Sequence, residues 1–463
     1  MKIVLTVHQF LPDYSAGTEI LTFETAQGLR RLGHEVIVFA GYPARVALRD
    51  EERFDHYEVA GIPVERFHHS HVAMGGQENT TEAEYNNLLF ARYFKQFLNK
   101  FQPDVVHFFH LGRLSASAVD VCHQLGIPMV LTPTDFWFVC PTNQLRLPDN
   151  SMCAGPNPNG VNCLRHVASL NQAATVRSQL DQLPDWILAV GIQAINRGML
   201  MKKWFSAPVK ALYRRPSFLR QRINLIDRVL APTQLMRSIL VGNGVQAEKI
   251  TLCRYGIKLG HVSGLTRVAE RSLRIGFIGT LYEHKAPHLL VSAVRLLPAD
   301  PPLELKIYGR LDEFPAYVER LKGLAGDDPR IKFCGPFPNE QIGKIFSELD
   351  VLVVPSIWYE NTPLVIYSAQ AAGCPVIASN LGGMSEVIHH GINGLLFEAG
   401  DAGALAHLLA EVCADRVFLK TLAARAIPPK SDLQYVAEIE EVYRQLLHNG
   451  RRSGPGKNNS DPA

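Results

Sequence analysis

Short apolar runs that alternate with amphipathic helical patterns restrict the fold of this sequence more than any other feature. The first half contains the runs KIVLTVH, EVIVFAG, DVVHFFH and IPMVLTPT, with helical patterns between them. Apolar runs without polar alternation are typical of parallel strands that are covered on both faces. The sequence therefore predicts a doubly wound α/β domain built on a parallel sheet.

The same pattern begins again after a segment of little periodicity at 258–271, with the runs LRIGFIGTL, LELKIYG, IKFCG, VLVVPS and PVIAS. A second doubly wound domain is expected. Ligands of such folds bind outside the carboxyl ends of the strands, so two domains that face each other enclose a cleft. The predicted organisation is a first domain at 1–260 with a Cys-rich loop at 140–166 and a helical insert at about 167–222, a second domain at 272–430, a C-terminal helix at 431–449 that packs back toward the first domain, and a disordered tail at 450–463.

Composition limits the class of protein. The 463 residues, of which 47% are hydrophobic and 20% charged, are typical of a soluble globular protein with two domains. The N-terminal apolar run is too short for a signal peptide, and no apolar run has the roughly 18 residues of a membrane span. A net charge of +3 does not indicate a nucleic-acid partner. Eight cysteines without a secretion signal favour a cytoplasmic location.

One region departs from this even charge balance. Between Lys202 and Arg228 the sequence has eight basic residues against the single acid Asp227, and four aromatic residues lie among them. This mixture suits an anionic membrane surface, such as the inner face of the cell membrane, or a charged acceptor. A solvated face of the helical insert explains it equally well, so both interpretations stay open.

The stretch WYENTPLVIYSAQ places a carboxylate beside a predicted helix start. Pro363 suits the first position of a helix, and Asn361 and Thr362 are good cap residues. The amides and dipole of a helix start attract anionic groups, and the carboxylate of Glu360 just outside can accept hydrogen bonds from several hydroxyls. The stretch therefore predicts a site for a sugar that is attached to phosphate.

A cation is expected opposite the phosphate. In IGTLYEHK, Lys285 follows a strand end by a few residues, and its ammonium group can reach a diphosphate leaving group. The sequence contains no Asp-x-Asp triplet of the kind that holds a metal-bridged diphosphate. On spacing alone, Lys285 as a solvated lysine and Glu360 as an ordinary N-terminal helix acid remain the simpler interpretations.

Taken together, these motifs resemble the nucleotide-sugar-dependent glycosyltransferases of family 4. The resemblance rests on ENTPLVIYSAQAAGCPV, IGTLYEHK and GGMSEVIHHGINGLLF in the second half, and on PDYSAGTE, LRRLGHEVIVFAG, PDVVHFFHL and LTPTDFWFVCPTNQL in the first. It implies the GT-B fold, in which two Rossmann-like doubly wound parallel-sheet domains face a central cleft. It also implies a retaining transfer from a nucleotide-diphosphate sugar donor to a glycan or lipid-linked acceptor. The missing Asp-x-Asp triplet favours a leaving group held by Lys285 and the helix amides, so no catalytic cofactor or metal is expected. Synthesis of cell-surface polysaccharide is the expected setting.

The resemblance implies roles for individual residues. It assigns the hydroxyls of the donor sugar to Glu360, the diphosphate to Lys285, and a position near the reacting carbon and acceptor to His110. For His110, a satisfied core histidine is the other interpretation. Gly17 permits close approach of the first domain's loop to the donor. The candidate catalytic residues are His110, Lys285 and Glu360, and the candidate donor-binding residues are Gly17, Thr280, Lys285, Glu360, Asn361, Thr362, Pro363, Leu364 and Ser368.

The sequence departs from the family pattern at three places. Ser368 stands where the family commonly has a glutamate that binds the nucleotide ribose, so donor affinity is expected to fall by roughly 1–3 kcal/mol. Thr280 replaces a common arginine, and Thr134 precedes Asp135 where many members have His-Asp. A non-catalytic sugar-nucleotide-binding or scaffold protein, inactive through Ser368, is therefore the alternative function.

The Cys-rich loop carries residues that bind metals in other proteins. Cys140, Cys153, Cys163 and His166 lie in a segment rich in Pro, Asn and Gly, and its Cys-x-x-His ending has metal-ligand spacing. Three thiolates and an imidazole can form a closed structural zinc site. Unliganded thiols are the alternative, because the first two gaps between these residues are wide.

Overall fold

In the computed structural model of the protein, the segments at 1–44, 46–147, 149, 151–170, 180, 182–199, 203–262, 271–300, 302–361 and 363–452 are described. The predicted linker lies largely outside these segments, because 263–270 is not among them. The disordered tail also lies outside from 453 onward. Thr362, one of the predicted donor-binding residues, is likewise outside the described residues.

The described residues form two sheets. The first contains β1 (Lys2–Val7), β2 (Glu35–Pro43), β3 (Phe54–Val59), β4 (Ile62–His69), β5 (Val105–Phe108), β6 (Met129–Leu131), β7 (Arg228–Ala231) and β8 (Ile250–Leu252). The second contains β9 (Leu273–Ile278), β10 (Leu303–Tyr308), β11 (Ile331–Gly335), β12 (Val351–Val354), β13 (Val376–Ser379) and β14 (Leu395–Phe397). β5 and β12 are buried at every position, which explains why their sequences show no polar alternation.

Helices cover the sheets. Those of the first half are α1 (Gly17–Arg31), α2 (Thr80–Ala83), α3 (Leu88–Phe101), α4 (Ser117–Leu125), α5 (Val161–Leu170), α6 (Asp185–Asn196), α7 (Lys203–Ile223) and α8 (Gln234–Gly242). Those of the second half are α9 (Pro287–Leu296), α10 (Pro315–Ala325), α11 (Ile342–Ser347), α12 (Leu364–Ala371), α13 (Ala402–Ala414), α14 (Arg416–Ala424) and α15 (Asp432–Arg452). No helix within the described ranges is long and apolar enough to cross a membrane.

Strand order fixes where each sheet can bind a ligand. The first sheet has the order β3-β4-β2-β1-β5-β6-β7-β8, and the second has β11-β10-β9-β12-β13-β14. In each sheet the order reverses once, between β1 and β5 and between β9 and β12. Such a reversal opens a crevice beyond the carboxyl ends of the two strands, where ligands of doubly wound sheets bind. The predicted fold class of two doubly wound α/β domains is confirmed.

One hairpin was not predicted from the sequence. β3 pairs antiparallel with β4, whereas the other strand pairs of the described sheets are parallel. Ala60 and Gly61 connect the two strands with φ values of 48° and 79°. Two consecutive positive φ angles are those of the two-residue turn that best matches strand twist. Gly61 suits the second position of such a turn, but alanine does not favour a positive φ at the first, so the pair is only a weak sequence signal.

The C-terminal helix α15 packs against the first domain. The Tyr443 hydroxyl lies 2.6 Å from His107 Nδ1 on β5, and both side chains are buried. Gly28 on α1 makes room for the helix, because a Cβ atom there would lie 2.6 Å from Val436 Cγ2. The helix continues to Arg452, so the predicted boundary at 449 is too early and the first residues of the predicted disordered tail are helical.

Candidate functional site

Lys285 and Glu360 meet where the strand order of the second sheet reverses. Lys285 follows β9, and Glu360 follows β12, the strand beside it. The Lys285 Nζ atom donates a hydrogen bond of 2.6 Å to Glu360 Oε1. The topology thus explains why two residues that are 75 positions apart in the chain form one ion pair at the end of the sheet.

Glu360 is held as a buried carboxylate. Its exposed fraction is 5%, and Oε1 also accepts a 2.8 Å hydrogen bond from Ser356 Oγ. Burial favours the protonated form, but the charge and hydrogen bond of Lys285, together with Ser356, outweigh burial and place the pKa of Glu360 below its ordinary value. The carboxylate is therefore ionised near neutral pH and able to accept hydrogen bonds from hydroxyls.

A tight turn supports the backbone of Glu360 from the opposite side. Gly383 N donates to Glu360 O at 2.7 Å. Gly382 has a φ of 62°, and a Cβ atom there would lie 3.1 Å from the backbone of Glu360. The glycine pair in GGMSEV thus permits a close approach that fixes the position of the carboxylate.

The helix after Glu360 begins one residue later than predicted. α12 starts at Leu364, and Pro363 occupies the N-cap with a ψ of 131°, an extended conformation. The N-cap residue Pro363 provides no side-chain cap. The amides of Leu364 and Val365 consequently have no acceptor within the helix, as at any helix start. They lie directly after the Glu360 loop, where an anionic group can bind.

Asn361 faces the first domain. Its side chain is 9% exposed, and Oδ1 lies 3.4 Å from the Thr233 hydroxyl. Its Nδ2 atom is buried without a hydrogen-bond partner in the described part of the chain. A buried amide donor of this kind is costly unless a ligand satisfies it. Asn361 is therefore placed between the domains with hydrogen-bonding capacity to spare.

Ser368 and Thr280, the two second-domain positions that depart from the family pattern, both take part in hydrogen bonds within their own segments. Ser368 is 8% exposed, and its hydroxyl donates to Leu364 O at 3.2 Å within its own helix. Such a bond to the preceding turn occupies the hydroxyl hydrogen and leaves only the oxygen lone pairs for a ligand. Thr280 lies in the loop between β9 and Lys285, and its carbonyl accepts from Tyr282 N at 3.0 Å.

On the first domain, His110 follows β5 and Asp135 follows β6. His110 Nε2 lies 2.8 Å from Asp135 Oδ2, and Gly112 N donates to His110 Nδ1 at 2.9 Å. The second bond requires a lone pair on Nδ1, so the neutral ring carries its proton on Nε2 and donates it to Asp135. Both nitrogens are engaged within the protein. His110 is therefore arranged to orient its surroundings, and its ring has no nitrogen available as a base.

Two residues beside His110 were missed by the sequence analysis. The His8 ring, at the end of β1, lies 4.2 Å from the His110 ring, and His8 Nε2 lies 3.5 Å from Glu19 Oε1. Burial, with His110 and Arg113 nearby, holds the pKa of His8 well below its ordinary value. Burial likewise raises the pKa of Glu19. His8 precedes the β1–α1 loop of the GTE motif, but only the adjacency of β1 and β5 brings it to His110.

Gly17 lies at the start of α1, at the edge of the first domain that also carries His8 and His110. A Cβ atom at Gly17 would have no heavy atom within 4 Å. Packing inside the chain therefore does not require a glycine at this position. The open space above an uncapped helix start agrees with a backbone that a ligand approaches closely.

Contacts between the domains surround the Lys285–Glu360 pair. Gln144 Nε2 lies 3.5 Å from His284 Nδ1, and the Phe136 and Tyr359 rings are 6.3 Å apart. The two first-domain residues belong to the loop after β6, and the two second-domain residues adjoin Lys285 and Glu360 in sequence. The sequence-predicted residues are thus distributed over two facing edges, and among those of the second domain the structure brings Lys285 into direct contact with Glu360 and Ser368 with Leu364.

The predicted zinc ligands share a pocket without forming a ligand set. Cys140, Cys153, Cys163 and His166 all line one small pocket of the Cys-rich loop. However, no group of three or more His, Cys, Asp or Glu side chains in the described segments is arranged to hold a metal ion. Burial, with the neighbouring thiols, raises the pKa of the metal-free Cys163 thiol to about 12. Sequence spacing does not determine where the sulfurs point, and structural zinc stays a prediction.

Comparisons with known proteins agree with this geometry. The chain is similar over nearly its whole length to sucrose-phosphate synthase from Thermosynechococcus elongatus, with 19% identity, a TM-score of 0.66, and 97% and 99% of the two chains covered. It is similar to Anabaena Alr3699/HepE, solved in complex with UDP and glucose, with 17% identity, a TM-score of 0.61, and 96% and 99% covered. The fold is the GT-B fold of glycosyltransferases.

Family models match both halves of the chain. Residues 15–151 match the model described as Glycosyltransferase Family 4, and residues 272–415 match the one described as Glycosyl transferases group 1. Together the two models cover more than half of the sequence. The chain belongs to the family 4 glycosyltransferases.

Relatives of known function match part of the chain. The D-inositol 3-phosphate glycosyltransferase of Nocardia farcinica is 28% identical over 264 residues, which are 52% of this chain and 58% of that protein. The amylovoran biosynthesis glycosyltransferase AmsK of Erwinia amylovora is 31% identical over 232 residues, or 48% and 55% of the two chains. The matched regions thus span about half the length of these relatives.

Proposed function

We propose that the protein transfers a sugar from a nucleotide-diphosphate donor to a glycan or lipid-linked acceptor, with retention of configuration and without a catalytic metal. The observation that carries the proposal is the Lys285–Glu360 ion pair at the strand reversal, directly before the uncapped start of α12. The Glu360 carboxylate, the Lys285 ammonium group and the amides of Leu364 and Val365, which have no acceptor within the helix, belong to two neighbouring loops at the end of the second sheet. A sugar linked to a diphosphate presents hydroxyls and negative charge in the same order.

Each side chain has a separate task in this reaction. Glu360 accepts hydrogen bonds from the hydroxyls of the donor sugar and fixes the ring. Lys285 and the first amides of α12 stabilise the negative charge that develops on the leaving diphosphate. These cations and dipoles belong to the chain, so the proposed departure of the leaving group requires no metal ion. On the facing edge, His110 orients Asp135 beside the acceptor.

A donor screen tests the proposal. Purified full-length protein is combined with UDP-, GDP- and ADP-sugars, and the melting temperature is measured, because a ligand of the folded state raises it. HepE was solved with UDP and glucose, so UDP-sugars are the first donors to test. Transfer or donor hydrolysis is then measured with and without EDTA. Stabilisation by no sugar nucleotide would contradict the proposal.

Variants of the ion pair locate the site. Lys285→Met is expected to lower kcat by about 10²- to 10³-fold, as for removal of one group that stabilises transition-state charge. Lys306→Met is the matched control, since Lys306 lies on β10 of the same domain and forms a 3.1 Å ion pair with Glu348. Equal losses in both variants would show a general effect on folding and would contradict the assigned role.

Ser368 supports a second function, a sugar-nucleotide-binding scaffold without activity. Its hydroxyl already donates to Leu364 O, so its contact with a ribose is weaker than that of a carboxylate. Ser368→Glu separates the two functions. An active wild type whose donor KM falls in the variant supports the transferase, whereas a wild type that neither transfers nor hydrolyses any donor supports the scaffold.

The acceptor and the location are part of the same proposal. AmsK is named for amylovoran biosynthesis, and by analogy we place this protein in the synthesis of a surface polysaccharide at the inner face of the cell membrane. Acceptor extracts from membranes, tested with the donor that the screen identifies, distinguish a lipid-linked acceptor from a soluble glycan. Nuclear magnetic resonance of the product determines whether the anomeric configuration is retained.

A further inference from the structure

Helix α6 of the insert carries a stripe of exposed apolar side chains. Trp186 is 69% exposed and Val190 is 61% exposed, with Leu183 at 38% and Ile187 at 37% beside them. Residues at these spacings lie on one face of a helix and just ahead of its start. We call this stripe the α6 ridge, and it consists of Leu183, Trp186, Ile187 and Val190.

The opposite face of α6 is packed inside the insert. Leu188, Ile192 and Ile195 are buried in a small core that also contains Val161 of α5 and Val209 of α7. The helix is therefore held in place by its inner face, and the ridge points outward from a fixed position. A helix that is apolar on both sides is usually covered on both sides, by protein or by lipid.

Positive charge flanks the ridge. At one end, Arg165 donates to Leu183 O and forms a 2.8 Å ion pair with Asp185, the single acid of α6. At the other end, Arg197 is exposed, and Arg214 donates a 3.1 Å hydrogen bond to Asn196. Apolar side chains that include tryptophan, bordered by arginines, match the boundary between the acyl chains and the phosphates of a bilayer.

Only part of the basic run at 202–228 is available to a membrane: Arg214 and Arg220 are exposed, whereas two other arginines are engaged with the first domain. Arg215 is 2% exposed, lies 3.5 Å from Glu84 and donates to Trp137 O. Arg222 forms a 3.1 Å ion pair with Asp120. These two charges hold α7 onto the first domain and are not available to a membrane. The exposed apolar surface of the insert lies instead on α6.

We propose that the α6 ridge inserts into the surface of an anionic bilayer, with the exposed Arg197 and Arg214 at the C-terminal end of α6 on the lipid phosphates. A second copy of the chain fits less well, because each partner of a stable dimer contributes roughly 20 residues and about 800 Å². The ridge has four apolar side chains. The inference extends the proposed function by naming the surface that would bring the enzyme to a lipid-linked acceptor.

Vesicle binding tests this inference without any sugar transfer, so its failure is distinct from failure of the proposed activity. The full chain is mixed with vesicles of phosphatidylcholine, or of equal parts phosphatidylcholine and phosphatidylglycerol, and bound protein is measured by flotation. We expect binding to the anionic vesicles, weaker binding at raised salt, and a blue shift of tryptophan emission. Absence of binding to anionic vesicles at low salt would overturn the inference.

Variants connect the binding to the ridge. Val190→Asp is expected to weaken vesicle binding at least tenfold and Trp186→Ser to remove the blue shift. The matched control is Val417→Asp on α14, where Val417 is 74% exposed on the second domain. Unfolding curves check that each variant is folded. Wild-type binding by Val190→Asp would refute the role of the ridge, and a concentration-dependent dimer that this variant abolishes would show that a second copy covers it.

Discussion

Glu386 ties the second domain to the first, and Glu386→Gln is expected to favour separation of the two. The carboxylate accepts hydrogen bonds from Gln234 N at 2.8 Å and Leu235 N at 2.7 Å. Both amides lie in the first turn of α8, where the helix offers them no acceptor. The negative charge also interacts favourably with the positive end of the helix dipole.

The magnitude follows from these two bonds. A hydrogen bond to a charged group contributes about 1.5–3 kcal/mol, and the partly exposed position of Glu386 reduces this value. Glutamine retains one carbonyl oxygen and removes the charge, so about one of the two bonds is lost. We therefore expect a change of about 1–2 kcal/mol, or about 5- to 30-fold in the ratio of closed to open molecules.

Hydrogen exchange measures this ratio directly. In the full-length protein, the amides of Gln234 and Leu235 are expected to exchange about 5- to 30-fold faster in Glu386→Gln than in the wild type. Glu398→Gln serves as the control, because Glu398 is an exposed glutamate of the same domain. Unchanged exchange at both amides in Glu386→Gln would refute the assignment of the carboxylate as a bond between the domains.

Three further predictions concern the contact of α1 and α15 and the groups beside it. Gly28→Ala is expected to lower the free energy of unfolding by about 1–3 kcal/mol through overpacking, as measured by urea denaturation. Gly191→Ala in α6 is the control and is not expected to lower it, because the added Cβ has no neighbour within 4 Å. Burial raises the pKa of Glu24 from 4.5 to about 7. The folded state therefore binds this proton more tightly than the unfolded state, and the free energy of unfolding falls as the pH rises from about 4.5 to about 7. Glu24→Gln is expected to raise the melting temperature at pH 8 but not at pH 4. Tyr443→Phe leaves His107 Nδ1 buried without its 2.6 Å partner and is expected to lower the free energy of unfolding by about 1–3 kcal/mol; an unchanged value would contradict the importance of this bond.

Much of the fold could be predicted because apolar runs report burial on both faces. Most strands of the two sheets, though not β3, β4 or β14, and the closeness of Lys285 and Glu360 follow from two rules, that buried parallel strands are largely apolar and that ligand groups follow strand ends. The hairpin of β3 and β4 was missed because the prediction searched for apolar runs, while β3 has the sequence FDHYEV, with three polar residues among six, and lies at a sheet edge.

The facing edge of the site was harder to predict. His8 and His110 are separated by more than 100 residues, and the sequence does not reveal which strands are neighbours. The basic run shows the same limitation, because composition gives the number of charges but not their partners. Arg215 contacts Glu84, which directly follows α2, and Arg222 contacts Asp120 on α4. The partners of a side chain depend on packing between elements, which local patterns do not encode.

The chain passes between the two domains twice, and the two passages are bonded to each other. Ile257 N donates to Lys430 O at 3.0 Å, and Asp432 N donates to Ile257 O at 2.9 Å. Two parallel connections at one place resist twisting far more than bending, whereas a single connection permits both. We therefore expect any separation of the two domains to pivot close to Ile257, so that on closing Lys285 and Glu360 return to the same alignment with the edge that carries His110.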